Sequence, residues 1–116
     1  MYNAEQIANY IIYHLYQRKK NITNQQLQCL LYFVQKKFIE EGRKCFPEEF
    51  ENWPYIPVIP SIYQKYKVYS GANIPGFIAK EPQEILEEDQ CKIDEIIDQY
   101  AELSFIQMVK KIEQKN

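Results

Sequence analysis

Apolar residues recur at steps of three and four along residues 23–42, a spacing that places them on one face of an α-helix. The residues on this face are Leu27, Leu30, Leu31, Val34 and Phe38. Thr23 and Gln26 have the spacing of a capping box at the amino end, and Gly42 suits the left-handed residue that closes a helix. Because the other apolar segments are shorter, the pattern predicts that this helix is their common packing partner.

Other parts of the chain also show helical periodicity, and three of these segments begin with the spacing of a capping box. The residues with that spacing are Asn3 and Gln6, Ser61 and Gln64, and Ser104 and Gln107. Pro82 suits the first turn of a further helix, where the N–H that proline lacks has no helical partner anyway. Together these signals predict about five helices.

A segment rich in proline and aromatic residues follows the long helix, and we call residues 46–60 the strap. The strap carries four of the six prolines, which fix their own backbone and push the preceding residue toward extended geometry. The pattern predicts an extended strap with at most a short β element, lying against the helices or against a partner.

These elements predict a mainly α protein that folds as a single compact helical domain over residues 1–116. Hydrophobic residues make up 46% of the chain, which is enough to form a core for such a domain. No apolar run approaches the roughly 18 residues needed to cross a bilayer, so no membrane contact is expected. Three cysteines without C-x-x-C spacing favour a reducing location, the cytoplasm.

Aromatic and apolar side chains in and just after the strap are the candidate partner-binding residues. They are Trp53, Tyr55, Ile56, Tyr63 and Tyr66. Large rings with a polar tip are common at protein interfaces, where one part of the ring is buried and the other is hydrated. The alternative interpretation is that Trp53, Tyr55 and Tyr63 cover the core.

Charge is distributed unevenly along the chain. Residues 1–45 hold seven Lys or Arg and three Asp or Glu, whereas residues 46–116 hold seven and thirteen. The acidic side chains are densest from residue 81 to residue 102, which suggests a secondary acidic surface for a basic partner. The candidates on that surface are Glu87, Glu88, Asp94 and Asp98. The alternative is that this run is a solvated helix face.

Residues suited to catalysis or metal binding are sparse. His14 is the only histidine, and Cys29, Cys45 and Cys91 are far apart without metal-ligand spacing. No phosphate-binding glycine motif and no metalloprotease motif is present. A net charge of -2 and a single short basic cluster, Arg18–Lys20, argue against direct binding to nucleic acid. The sequence therefore predicts no catalytic residue, no metal site and no cofactor.

Two separated stretches, and the residues between them, resemble a known family. The first stretch is Ile22–Gln35, ITNQQLQCLLYFVQ, and the second is Pro57–Tyr63, PVIPSIY, with Phe46, Phe50 and Trp53 between them. In this order they resemble the Panacea domain, the SocA-like, phage-associated family also called DUF4065. The resemblance extends to the first helix and to the closing helices, so it covers nearly the whole chain.

The resemblance implies an α-helical protein-binding domain that acts as an antitoxin, neutralising toxins by direct contact without catalysis or a cofactor. Many such domains are carried by prophages, and some deliver a toxin to a protease. The family has a glycine where this chain has Ile56, so we expect the strap to follow a different path there. The alternative function is a phage-encoded anti-defence protein whose acidic run occupies the nucleic-acid channel of a host nuclease, such as a CRISPR effector. Whether the protein forms a homo-oligomer is left open.

Overall fold

The computed structural model describes residues 1–114, so the last two residues of the predicted domain, 115 and 116, lie outside the described part. In chain order the elements are α1 (Ala4–Gln17), α2 (Asn24–Glu40), β1 (Glu51–Asn52), β2 (Pro57–Val58), α3 (Pro60–Tyr66), α4 (Glu87–Tyr100) and α5 (Phe105–Gln114). The prediction of a mainly α protein with about five helices and at most a short β element is confirmed. Within residues 1–114, none of the helices is both long and apolar enough to cross a membrane.

The capping boxes predicted at the starts of α1, α2 and α5 are present. Asn3, Thr23 and Ser104 each accept a hydrogen bond from the N–H of the glutamine three residues further on. In each case that glutamine accepts a hydrogen bond from the N–H of the capping residue. Two of the N–H groups left unpaired at each helix start are thereby satisfied. Gly42, just beyond α2, has the predicted left-handed backbone, with φ of 99°.

Helix α2 lies at the centre of the fold and contacts α1, α3, α4, α5 and β2. All five residues of its predicted apolar stripe are fully buried, and burying each such side chain stabilises the fold by about 1.5–3 kcal/mol. Phe33, beside the stripe, stacks on Tyr100 of α4 with the ring centroids 3.9 Å apart. The prediction that this helix is the common packing partner is confirmed.

The predicted start of α3 is wrong by two residues. The helix begins at Pro60, Ile59 occupies the cap position, and Ser61 lies inside the helix without capping it. Proline at the first helical position already has a helical φ and has no N–H to satisfy. The helix therefore starts at Pro60 without a side-chain cap, two residues before the start that the sequence spacing suggested.

The predicted start of α4 is also wrong, because the helix begins at Glu87 and not at Pro82. Glu84 has a left-handed backbone, with φ of 63°, and such a residue interrupts a right-handed helix. Further back, the side chain of Asn9 in α1 donates to the Lys80 carbonyl over 2.8 Å and accepts from the Lys80 N–H over 2.9 Å. These contacts hold the chain before α4 outside helical geometry.

The strap folds back on itself as a hairpin and does not run straight. β1 and β2 pair antiparallel, with Glu51 opposite Val58 and Asn52 opposite Pro57. Val58 is buried, and β2 packs against α2, so the prediction that the strap lies against the helices is confirmed. The short turn between the strands forms the outer end of the hairpin, which we call the hairpin tip.

Candidate docking site at the hairpin tip

A buried glutamine of α2 holds the start of the strap. Gln35 donates through Nε2 to the Phe46 carbonyl over 2.7 Å, and its Oε1 accepts from the Cys45 N–H over 2.7 Å. Backbone groups at this point have no helix or strand partner, and leaving one buried and unpaired costs about 1–3 kcal/mol. The same Oε1 also accepts a longer hydrogen bond from the Phe46 N–H, so a single side chain satisfies three backbone groups and fixes where the strap begins.

Two further buried amides of α2 hold the end of the strap. Gln28 accepts from the Ile59 N–H over 3.0 Å and donates to the side chain of Asn24 over 3.1 Å. Asn24 in turn donates to the Tyr63 carbonyl in α3 over 3.1 Å. We call Asn24, Gln28 and Gln35 the amide clamp, because these three side chains fix both ends of the strap.

Sequence reasoning did not identify the amide clamp, although the chain carries a signal for it. The three amides are spaced by four and seven residues, so they lie on one face of α2. That face is buried, and a buried side-chain amide needs hydrogen-bond partners. The extended, proline-rich strap can supply such partners, because many of its backbone N–H and C=O groups are not paired within a helix or a sheet.

The hairpin tip holds an aromatic side chain on a strained backbone. Its two-residue turn, Pro54 and Tyr55, is closed by a 3.1 Å hydrogen bond from the Trp53 N–H to the Ile56 carbonyl. Tyr55 has φ of 78°, a conformation that costs a residue other than glycine about 1–2 kcal/mol. Its side chain is nevertheless 82% exposed, so core packing does not offset this strain.

The five predicted partner-binding residues lie in different environments. Ile56 and Tyr66 are buried, at 6% and 3% exposure, so in this structure their side chains are not on the surface. Trp53 and Tyr63 are half-buried against each other, with ring centroids 4.9 Å apart. Tyr55 alone of the five is strongly exposed. That these residues bind a partner stays a prediction, and Tyr55 is the one best placed for it.

That the strap follows a different path from the family's at Ile56 stays a prediction, and the structure shows the backbone that this chain adopts there. Ile56 is not among the residues with positive φ, and the left-handed position falls one residue earlier, at Tyr55. The side chain of Ile56 packs into the core. The strain at this turn is therefore carried by the exposed aromatic residue and not by the buried aliphatic one.

Helix α5 forms the other side of an apolar groove beside the hairpin tip. The groove has a volume of about 360 Å³ and is lined by Tyr55, Phe105, Ile106, Val109, Lys110 and Glu113. We call these six residues the tip groove. Ile106 is 66% exposed and lines the groove together with the 82% exposed Tyr55, so the two side chains belong to one exposed apolar patch. Sequence reasoning missed α5 as part of a site; the available signal was that Ile106 is apolar but lies off the buried stripe of its helix.

A second, smaller hollow adjoins the tip groove. Its volume is about 210 Å³, and Tyr32, Trp53 and Ile112 are among its lining residues. Tyr55 and Glu113 line both hollows. The Tyr55 side chain therefore stands between two recesses.

The predicted acidic surface is largely engaged within the molecule. Asp94 accepts from the Tyr10 hydroxyl over 2.7 Å and lies 3.4 Å from Nδ1 of His14. Burial and this hydrogen bond raise the pKa of Tyr10, so its hydroxyl stays protonated and continues to donate. Asp98 pairs with Arg18, one turn further along both helices. We call these contacts between α1 and α4 the seam.

The other two residues of the acidic surface differ from the seam residues. Glu87 and Glu88, in the first turn of α4, are exposed and have no ion pair among residues 1–114. Their neighbour Asp89 is fully buried, where it pairs with Arg43 and accepts from the Tyr2 hydroxyl over 2.5 Å. Two of the four predicted acidic residues are thus free to meet a basic partner.

The uneven charge along the chain is balanced by contacts between its two parts. Residues of 1–45 pair with residues of 46–116 at His14–Asp94, Arg18–Asp98, Lys20–Glu102, Arg43–Asp89, Lys65–Glu5 and Lys92–Glu41. Four acidic residues of the second part, Asp89, Asp94, Asp98 and Glu102, therefore face basic side chains of the first, and in the other two pairs a lysine of the second part meets a glutamate of the first.

The residues suited to other chemistry are dispersed. His14 stacks on Tyr10 with ring centroids 5.9 Å apart, and Cys29 and Cys45 are buried whereas Cys91 is exposed. Burial raises the pKa of both buried thiols to about 12. Among residues 1–114, no group of three or more His, Cys, Asp and Glu side chains is arranged to hold a metal ion.

A comparison with protein-family models matches residues 27–116 to the family described as Antitoxin SocA-like, Panacea domain. The match includes the amide-clamp residues Gln28 and Gln35, the whole strap and helices α3 to α5. No curated protein and no solved structure gives a significant match.

Proposed function

The chain belongs to the antitoxin SocA-like, Panacea domain family, and from this premise we propose that it neutralises a protein toxin by direct contact at the hairpin tip. The proposed action is stoichiometric binding in the cytoplasm, without a chemical step and without a cofactor. We also propose a phage or prophage origin, in line with the family resemblance. The tip groove and the adjoining hollow form the proposed contact surface.

The observation that carries the proposal is the strained and exposed Tyr55. A glycine or asparagine at this position would relieve the backbone strain, and the tyrosine ring gains little from packing in this structure. Local strain that the rest of the fold sustains is typical of functional sites. A ring presented in this way is suited to be the anchor of an interface.

The frame behind the tip supports the same proposal. The amide clamp fixes both ends of the strap, and Trp53 packs on Tyr63 at the base of the tip. Conformational freedom lost before binding does not have to be lost during binding, so a rigid tip favours affinity. Such preorganisation is what a contact inhibitor requires.

The test is rescue of growth when the protein is co-expressed with the toxin encoded beside its gene. We expect the unchanged protein to restore growth and to co-purify with the toxin. Tyr55→Gly and Ile106→Asp should abolish both, since each removes an exposed apolar contact of the tip groove. Phe77→Asp is the matched control, because Phe77 is 73% exposed and lies outside the tip groove.

Rescue that persists in Tyr55→Gly and Ile106→Asp would contradict the proposed surface. Rescue that is lost only when Glu87 and Glu88 are changed to glutamine would instead favour a basic target, such as the nucleic-acid channel of a nuclease. That alternative now depends on these two exposed carboxylates, since Asp94 and Asp98 are engaged at the seam.

A further inference from the structure

We infer that the tip groove accepts one face of an amphipathic α-helix of the partner, with an apolar anchor beside Val109 and an acid–base pair matched to Lys110 and Glu113. This inference rests on the proposed function only in taking the partner to be a protein. It adds the secondary structure of the bound segment and the order of its charges.

The lining of the groove indicates that the bound segment is helical. Five of the six lining residues lie on α5, whose backbone N–H and C=O groups are paired within the helix, and no residue of β1 is among them. An extended segment lying there would bury its own N–H and C=O groups without partners, at a cost of about 1–3 kcal/mol for each. A helix pairs these groups internally and presents only side chains, as in other helix-in-groove complexes.

The size and shape of the groove suit side-chain anchors. A volume of about 360 Å³ lies near the lower end of the range for small-molecule pockets, and the groove is bordered by the strongly exposed Tyr55 and Ile106. Apolar residues of a helix at steps of three and four fall on one face, so two or three of them can lie along such a groove. The Tyr55 ring would lie between successive anchors.

Two charged residues on the α5 wall specify the polar part of the contact. Lys110 and Glu113 both line the groove, three residues apart, and so lie within one turn of each other. Among residues 1–114, neither of them has an ion-pair partner. A partner helix with a carboxylate over Lys110 and a cation over Glu113, about one turn apart, complements both charges.

The acidic residues near Tyr55 argue for a protein partner over a nucleic acid or a lipid surface, because Glu113 offsets the positive charge of Lys110 in the groove. Glu113 lines both hollows, and Glu51 on the neighbouring strand is exposed. These carboxylates would repel a phosphate backbone or an anionic headgroup lying over Tyr55. The aliphatic surface of Ile106 and Val109 also offers no stacking platform for bases.

The experiment is a selection of displayed helical peptides on the purified, full-length protein. The library is a stable helix of roughly 16 residues, about four turns, with one face randomised. We expect enriched peptides to carry apolar anchors at steps of three and four, flanked by an acidic and a basic residue one turn apart. Binding of an enriched peptide should change the fluorescence of Trp53, the only tryptophan, which lines the adjoining hollow.

Two kinds of variant test whether the peptides bind in the tip groove: one replaces an apolar lining residue by a charged one, and the other exchanges the two lining charges. Ile106→Asp should weaken binding of an enriched peptide by about tenfold or more, as loss of an interface anchor does, while Phe77→Asp should leave it unchanged. The double variant Lys110→Glu, Glu113→Lys should select peptides with the two charges in reversed order. Circular dichroism confirms that each variant folds, which is expected because these side chains line an open groove.

The inference is overturned if enrichment is equal on the Ile106→Asp variant, or if reversing the two charges leaves the selected sequences unchanged. Preferential binding of anionic phosphatidylserine vesicles or of a thymidine oligonucleotide, lost in Ile106→Asp, would also overturn it. The growth-rescue test remains separate. Rescue without peptide selection contradicts the helical segment alone, and selection without rescue contradicts the antitoxin function alone.

Discussion

The hairpin tip and the α1–α4 seam carry the two kinds of side chain that stand out in the sequence, and the fold treats them in opposite ways. At the seam, Asp94 and Asp98 are engaged by Tyr10, His14 and Arg18. At the tip, Tyr55 has a strained backbone and an exposed ring. A high density of one residue type in the sequence therefore does not identify a partner-binding surface. What identifies it is whether a neighbouring element supplies the complementary group.

Helix periodicity explains why the seam is satisfied internally. Its acidic residues are four apart on α4, and His14 in α1 and Arg18 at its C-cap are also four apart, so successive turns bring His14 to Asp94 and Arg18 to Asp98. The tip is at the outer end of a two-residue turn, where α5 and Tyr32 of α2 line the neighbouring hollows. The apolar side chains of α5 leave a groove there and do not cover the ring.

The largest expected effect on stability is at the buried start of the strap, and the exposed tip groove provides the comparison. Phe46→Ala removes a fully buried ring and should lower the free energy of unfolding by about 3–5 kcal/mol. Ile106→Ala, in the tip groove, should change it by no more than about 0.5 kcal/mol, because that side chain is largely exposed. Urea denaturation followed by circular dichroism measures both. Equal losses would show that the groove is part of the core and not a free surface.

The amide clamp is expected to have the next largest effect. Gln35→Met keeps most of the side-chain volume but leaves the Cys45 N–H and the Phe46 carbonyl without their partner, at a cost of about 1–3 kcal/mol. Gln25→Met is the matched control, since Gln25 is an exposed glutamine of the same helix. Trp53 fluorescence should report a less ordered strap in the first variant alone. If Gln35→Met is as stable as the Gln25→Met control, the amide clamp does not hold the strap and cannot explain a rigid tip.

Three helix starts could be predicted because a capping box is a local signal, complete within four residues. The central position of α2 followed from its stripe, which is wide and long. The start of α4 could not be read in this way. It depends on Glu84 adopting a left-handed backbone and on Asn9 holding Lys80, and the second of these contacts joins residues far apart in the chain.

The candidate site was predictable only in part, for a related reason. The strap can be recognised in the sequence by its prolines and aromatic residues, and Tyr55 was one of the predicted partner-binding residues. Which of those rings would face solvent depended on the hairpin, which turns Ile56 inward and Tyr55 outward. The α5 wall comes from a distant helix that meets the tip only in the folded chain. The periodicity of one segment carries no information about a tertiary contact between two distant elements.

Relief of strain at the tip is expected to separate stability from function. Tyr55→Gly removes about 1–2 kcal/mol of backbone strain and loses about 0.5–1 kcal/mol through the greater freedom of glycine in the unfolded chain. We therefore expect a net gain in unfolding free energy of about 0–1.5 kcal/mol, together with loss of toxin neutralisation. Tyr55→Asn, which also tolerates φ above zero, should behave similarly. A destabilised Tyr55→Gly protein would mean that the ring contributes to folding and not only to the surface.

The smallest expected effect tests a paired carboxylate, the kind of group that the seam also uses. The hydrogen bond from Lys92, and more weakly Lys37, lowers the pKa of Glu41 below its ordinary value of 4.5. Because the folded pKa is the lower one, the stabilisation is present above pH 4.5 and is lost as the pH falls through the folded value. Glu41→Gln should therefore shift the urea midpoint slightly at neutral pH and progressively less in acid. Glu40→Gln, at an exposed neighbour without an ion pair among residues 1–114, should show no such pH-dependent difference. If the shift in urea midpoint caused by Glu41→Gln grew as the pH fell, its pH dependence would have the wrong sign, and the ion pair with Lys92 would not be the source of the stabilisation.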